Sequence, residues 1–70
     1  MMPLTLATVG EEAMIRKVGG SPEIKKHLED LGFIAGGTVT VVSAMAGNLI
    51  VNINESRVAI SREMAGRIMI

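Results

Sequence analysis

The chain has 70 residues, so it has room for one small domain in which burial only narrowly outweighs the cost of ordering the chain. Seven basic residues balance seven acidic ones, so the whole chain lacks the positive charge that dominates nucleic-acid binding. The absence of cysteine excludes disulfides, thiolate nucleophiles, iron–sulfur clusters and Cys-type zinc sites. Because no apolar run approaches the roughly 20 residues of a membrane helix and no secretion signal is recognisable, we expect a single cytoplasmic domain over residues 1–70.

The first half of the chain predicts a strand followed by a helix. The segment from Ala13 to Val18 is interpreted as a strand with Ala13 and Ile15 facing inward. A helix is then predicted from Ser21, whose hydroxyl can cap free backbone N–H groups, to a left-handed stop at Gly32. The apolar face of this helix consists of Ile24, Leu28 and Leu31.

The second half of the chain changes to a hydrophobic period of two, which is typical of half-buried strands. The predicted elements are strands at 38–41, 49–53 and 57–60, turns at 44–48 and 54–56, a helical turn at 61–65 and a last strand at 67–70. Their inward-facing residues are Val39, Val41, Leu49, Val51, Ile53, Val58, Ile60, Ile68 and Ile70.

Five short antiparallel strands and one α-helix inserted after the first strand indicate a mainly β protein. Unpaired strand edges attract unwanted pairing, and a short five-stranded set best limits its exposed edges by curling into a small barrel. The sequence therefore predicts a small β-barrel with a single helix.

The order and spacing of several short segments resemble the FeoA family, the small partner of the ferrous iron permease FeoB. These segments are Leu4 to Gly10, Leu31-Gly32-Phe33, Gly36, Thr38 to Val41, Leu49-Ile50-Val51, Val58-Ala59-Ile60, Ala65 and Ile68-Met69-Ile70. Two turn positions depart from the family pattern, since Ala35 stands where proline is frequent and Asn54-Glu55 replaces a glycine-bearing turn. A similar module ends the iron-dependent repressors, but no helix-turn-helix precedes it here, which favours a stand-alone domain.

The resemblance implies a fold, a partner and a location. The fold would be an SH3-like barrel in which Ser21, Gly32 and Gly36 have structural roles. The protein would be a non-catalytic accessory protein of bacterial ferrous iron transport that binds FeoB at the inner face of the membrane. It would contact the membrane only through this partner, would bind no nucleic acid and would need no cofactor, and self-association into a homo-oligomer stays open.

Direct binding of ferrous iron is an alternative hypothesis. Glu23, His27 and Asp30 are spaced so that they share one face of the predicted helix, and carboxylate and imidazole ligands suit ferrous iron. The competing interpretation is a solvated helix face on which Lys26 lies near Asp30. A catalytic triad of Ser21, His27 and Asp30 is excluded, because one helix cannot give the three side chains the required orientation.

Outward-facing apolar side chains form the candidate partner surface. The strand alternation points Met14, Ile50 and Met69 away from the interior and places Met45 at a hairpin tip. Methionine suits an adaptable binding surface, although the same side chains could equally fill gaps in the core.

Aromatic side chains are almost absent from the chain. Phe33 is the only one, so the aromatic walls of a proline-rich peptide groove and the stacking platforms of a single-strand binder are both missing. Phe33 itself is expected to pack back on the helix that precedes it. An RNA-binding small barrel is therefore the least supported alternative.

Overall fold

The computed structural model describes all residues from 1 to 70 and shows a mainly β protein. The elements are a 3-10 turn at Leu4–Leu6, β1 at Glu12–Met14, β2 at Lys17–Val18, α1 at Pro22–Asp30, β3 at Thr38–Met45, β4 at Asn48–Ile53, β5 at Ser56–Ser61, α2 at Arg62–Ala65 and β6 at Ile68–Met69. A four-stranded antiparallel sheet has the order β1-β3-β4-β5, and β2 pairs with β6 in a second sheet. The predicted fold class is confirmed, with six strands in place of five and with two separate ladders rather than one closed ring.

The additional strand arises because the predicted first strand changes sheets in its middle. The Ile15 N–H donates to the Gly37 carbonyl at 2.8 Å, which holds this side of the bend against the start of β3. The next N–H, from Arg16, donates to the Met69 carbonyl at 2.8 Å and transfers the chain to β6. Arg16 and Lys17 are both exposed, so the in-out alternation is interrupted at this bend.

The two predicted hairpins have tight two-residue turns. Ala46 and Gly47 connect β3 to β4 with φ values of 30° and 87°, and Asn54 and Glu55 connect β4 to β5 with φ values of 48° and 63°. Positive φ at both central residues matches the right-handed twist of paired strands. In β3 the register shifts between Val41 and Ser43, so the strand contains a bulge that the simple alternation does not predict.

Both helices begin at serine caps. The Ser21 hydroxyl accepts a hydrogen bond from the Ile24 N–H at 3.3 Å, and the Ser61 hydroxyl accepts one from the Met64 N–H at 3.1 Å. After α1 the chain reverses at Gly32, whose φ is +107°. The Phe33 N–H then donates to the Leu28 carbonyl at 2.9 Å, which turns the phenylalanine side chain back beneath the helix.

The core is a single cluster of 13 apolar side chains with no buried polar residue. Most of the residues predicted to face inward are buried: Ile15, Leu28, Val39, Val41, Leu49, Val51, Ile53, Ile60 and Ile68. The half-buried ones that pack against this cluster are Ile24, Leu31, Val58 and Ile70, whereas Ala13 is half-buried at the edge of the four-stranded sheet. Packing of aliphatic side chains around Phe33 therefore holds the two sheets and α1 together.

The turn at Asn54-Glu55 stores backbone strain that glycine would relieve. Glu55 has a φ of +63°, a conformation that costs a residue with a Cβ about 1–2 kcal/mol. We expect Glu55→Gly to raise the free energy of unfolding by about 0.5 kcal/mol, because the greater entropy of an unfolded glycine offsets part of the gain. Urea unfolding measures the change. Glu55→Gln is the control for loss of charge and should leave stability unchanged, so an equal gain in both variants would contradict the backbone explanation.

Candidate partner-binding site

The four residues of the candidate partner surface differ in exposure. Met14 is 48% exposed and Met45 is 64% exposed, whereas Ile50 and Met69 are half-buried. None of the four belongs to the buried core cluster. All four side chains therefore have area available for contact with another molecule, and Met14 and Met45 have the most.

The topology separates Met14 from Met45. Met14 pairs with Thr38 at the first residue of β3, whereas Met45 is the last residue of the same strand. Seven steps of about 3.3 Å separate the two ends, which is a distance of roughly 23 Å. The protein itself measures 28 × 25 × 23 Å along its principal axes, so these two methionines lie at different ends of the sheet.

Ile50 and Met69 occupy further separate positions. Ile50 lies in β4 between Ser43 of β3 and Ala59 of β5, and these small neighbours leave part of its side chain uncovered. Met69 lies in the other sheet, opposite Lys17. The four residues thus mark several places on the surface rather than one compact patch.

Ile34 is an exposed apolar residue outside the predicted partner surface. Its side chain is 50% exposed, and its Cγ1 atom lies 3.6 Å from the position that a Cβ atom would take at Gly37. Gly37 directly precedes Thr38, the cross-strand partner of Met14, so Ile34 and Met14 lie at the same end of the protein. The signal was present in the Phe33-Ile34 pair, since two adjacent large apolar residues in a loop rarely both reach one small core.

The proposed metal ligands all lie on α1. Glu23, His27 and Asp30 are all exposed. Within the whole chain, no group of three or more histidine, cysteine, aspartate or glutamate side chains is arranged so that it could hold a metal ion. Binding of ferrous iron by Glu23, His27 and Asp30 stays a prediction.

The only aromatic side chain is not available for recognition at the surface. Phe33 has 0% exposure and lies in the core cluster with Leu28, as its expected packing on the helix requires. None of the helices is long and apolar enough to cross a membrane.

The architecture defines the class of protein to which the chain belongs. Two small antiparallel sheets, a single main helix and one aliphatic core make it a small, mainly β domain with an SH3-like fold. The sequence model of the family described as the FeoA domain matches residues 2–70. The chain belongs to the FeoA family, whose members are associated with ferrous iron transport.

Relatives in sequence and in structure agree with this assignment. The chain is 30% identical over 70 residues to a Methanocaldococcus jannaschii protein provisionally named Fe(2+) transport protein A, and the match covers 100% of this chain and 85% of that protein. The crystal structure of an iron uptake regulatory protein (FeoA) superimposes with a TM-score of 0.89 at 25% identity, covering 97% of this chain and 92% of the other.

A third relative gives the fold its description. The FeoA protein of Stenotrophomonas maltophilia, crystallised with zinc and described as a prokaryotic SH3 domain protein, superimposes with a TM-score of 0.85 at 24% identity. The superposition covers 99% of this chain and 88% of that protein. At this identity the likeness establishes the shared fold.

Proposed function

We propose that the protein is a cytosolic accessory protein of ferrous iron transport that acts by binding the FeoB permease. The observation that carries this proposal is the match of the FeoA domain family to residues 2–70, nearly the whole chain. In this role the protein docks on the cytoplasmic side of the permease and reaches the membrane only through that partner. It alters transport without a cofactor or a reaction of its own.

The surface of the domain supports a role in protein binding. Exposed methionine and isoleucine side chains, such as Met14, Ile34 and Met45, offer apolar area at the two ends of the four-stranded sheet. Methionine adapts its shape to a partner at low cost, because its unbranched side chain has three rotatable bonds. A standard interface buries about 800 Å² on each partner. The domain measures 28 × 25 × 23 Å, so one of its sides is large enough to form such an interface.

Capture of the permease by the purified domain tests the proposal. The immobilised domain is incubated with detergent-solubilised FeoB from the same organism, with and without guanine nucleotide and ferrous iron. We expect capture by the unchanged domain and a loss of about fivefold or more when a central contacting residue is replaced, since truncating one of the few hot-spot residues of an interface costs more than about 1 kcal/mol. The variants are Met14→Ser, Met45→Ser, Ile50→Ser and Met69→Ser.

The matched control is Val9→Ser, which removes a side chain that is 56% exposed and lies outside the candidate surface. It should be captured as well as the unchanged domain. Thermal unfolding of each variant shows whether a loss of capture reflects a loss of folding. Absence of capture of the unchanged domain under every condition would contradict the proposed function, and equal capture of all four variants would place the interface elsewhere.

A further inference from the structure

A basic cleft lies on the side of the protein formed by the two-stranded sheet and α2. It consists of two adjoining depressions of about 430 Å³ each, which share Gly66 and Arg67 in the turn between α2 and β6. One depression extends along α2 and the other along the end of β2. The residues that give the cleft its chemical character are Lys17, Arg62, Glu63, Arg67 and Met69.

The charge of this cleft contrasts with the zero net charge of the whole chain. Lys17, Arg62 and Arg67 line it together with a single acidic residue, Glu63. The other two depressions of the surface are lined by Glu11, Glu12 and Glu55 and by no basic residue. The cleft therefore has a local excess of positive charge, which gives it an electrostatic preference for an anionic partner.

The pairing of β2 with β6 arranges the cleft residues in a regular way. Lys17 lies opposite Met69, and Gly19 follows opposite Arg67 through a hydrogen bond of 2.8 Å from the Gly19 N–H to the Arg67 carbonyl. In a pair of strands, the side chains of directly opposed residues point to the same face, and so do those of residues two apart along one strand. Lys17, Arg67 and Met69 therefore point to the same face, while Val18 and Ile68 between them are buried in the core.

Glycines keep the floor of the cleft open and set the position of Arg67. Gly19 leaves no side chain beside Lys17 on this face. The Cδ atom of Arg67 lies 3.6 Å from the position that a Cβ atom would take at Gly20, so the arginine stem runs along the glycine backbone. The guanidinium group is thereby presented at the cleft instead of extending freely into solvent.

Two cations on the diagonal of one strand pair suit a carboxylate bound between them. Diagonal neighbours across an antiparallel ladder lie about 7–8 Å apart, which allows one carboxylate to reach both Lys17 and Arg67. Met69 lies opposite Lys17 and two residues from Arg67, and its half-buried side chain offers an apolar contact in the same depression. The combination fits an acidic peptide segment that also carries an aliphatic side chain.

Other polyanions fit this cleft less well. Single-stranded nucleic acid is held by aromatic stacking platforms, and the only aromatic side chain, Phe33, is buried in the core. Docking on an anionic membrane favours a basic amphipathic helix, whereas the cations here line a concave surface next to a strand pair. The chemistry therefore favours a peptide.

We propose that the basic cleft is the docking site for an acidic segment of the protein partner, with a carboxylate held between Lys17 and Arg67 and an aliphatic side chain against Met69. This inference rests on the proposed function, because it locates the surface through which the protein binds its partner. It places Met69 in the contact with the partner. Met14 lies on the other sheet, outside the cleft.

A peptide titration with charge-reversed variants tests the cleft directly. The probes are a fluorescein-labelled decapeptide of alternating glutamate and leucine and the same peptide with glutamine for glutamate, each measured by fluorescence anisotropy at low and high salt. The double variant Lys17→Glu with Arg67→Glu should bind the acidic peptide about tenfold more weakly, because two favourable charge contacts become repulsive. The matched control is Lys25→Glu with Arg57→Glu, which reverses the same two residue types at exposed positions outside the cleft.

The expected result is binding of the acidic peptide that weakens with salt, falls about tenfold in the cleft variant and is retained in the control. Equal binding by both double variants, or no binding of the acidic peptide by the unchanged protein, would overturn the proposal. It would also be overturned if oligouridylate, vesicles of anionic phospholipid or a second copy of the chain bound through Lys17 and Arg67 in place of the peptide.

Capture of FeoB by the same two double variants separates this inference from the proposed function. Loss of capture in the cleft variant alone supports both. Capture by both variants retains the partner but rejects the cleft, whereas failure of the unchanged protein to capture FeoB rejects the proposed function and leaves the peptide titration to decide on the cleft.

Discussion

Replacing Phe33 with alanine is expected to lower the free energy of unfolding by about 3–5 kcal/mol, the range measured for large-to-small changes at buried aromatic residues. Phe33 has 0% exposure and is the only aromatic side chain in the core. A domain of 70 residues has a total stability of about 3.5–10 kcal/mol at the usual value per residue. The change would therefore remove a large part of the stability of the protein.

Equilibrium urea unfolding at 25 °C measures this effect, and the adjacent residue provides the control. Ile34 is 50% exposed, so Ile34→Ala should change the free energy of unfolding by no more than about 0.5 kcal/mol. If Phe33→Ala and Ile34→Ala were equally mild, Phe33 would not be the centre of the core. If both were severe, Ile34 would be covered in solution by a contact within the chain or by a second copy.

The second large effect is expected at Gly32, where α1 ends. Its φ of +107° disfavours any residue with a Cβ atom, and Gly32→Ala should destabilise the protein by about 1–2 kcal/mol. A Cβ atom at this position would also lie 2.8 Å from Asn54 Nδ2, so the exposed Asn54 amide would have to rotate away. Chemical unfolding followed by circular dichroism reports the shift in midpoint.

Two other glycines separate the causes of this effect. Gly36 has a φ of +91° with no atom within 4 Å of the Cβ position, so Gly36→Ala should cost somewhat less than Gly32→Ala. Gly66 has a φ of −65°, and Gly66→Ala should be neutral or stabilising by up to about 1 kcal/mol. Equal destabilisation by all three substitutions would contradict this explanation, because it would show that the effect does not depend on a positive φ.

The core and the order of the elements could be predicted from the sequence because local signals agreed with the fold. The alternation from Thr38 to Ile60 identified the buried residues of β3, β4 and β5, and the serine and glycine signals identified both ends of α1. In each case a side chain's preference and its tertiary environment point in the same direction.

The bend between β1 and β2 was not predicted because its cause is tertiary. The Arg16 N–H pairs with the Met69 carbonyl, a residue more than fifty positions away, and no local preference reveals such a partner. The only sequence signal was the pair of adjacent charges, Arg16-Lys17, which interrupts the alternation. The bulge beside Val42 could not be predicted for the same reason, since a register shift depends on the partner strand.

The candidate site could be predicted only in part for a related reason. Strand alternation indicated that Met14 points outward, which its 48% exposure agrees with. It did not show that Met14 and Met45 lie at opposite ends of the four-stranded sheet, or that Lys17, Arg67 and Met69 meet on one face. Positions within a strand follow from the sequence, whereas neighbours across strands follow from the register.

The affinity of the purified domain for FeoB from the same organism tests the central claim most directly. Titration of the domain into detergent-solubilised permease should give saturable binding by the folded domain only. The negative control is the destabilised Phe33→Ala variant, under conditions in which circular dichroism shows it to be unfolded. Equal signals from the folded and unfolded chains, or no binding with any combination of nucleotide and ferrous iron, would contradict a role in transport through direct binding to the permease.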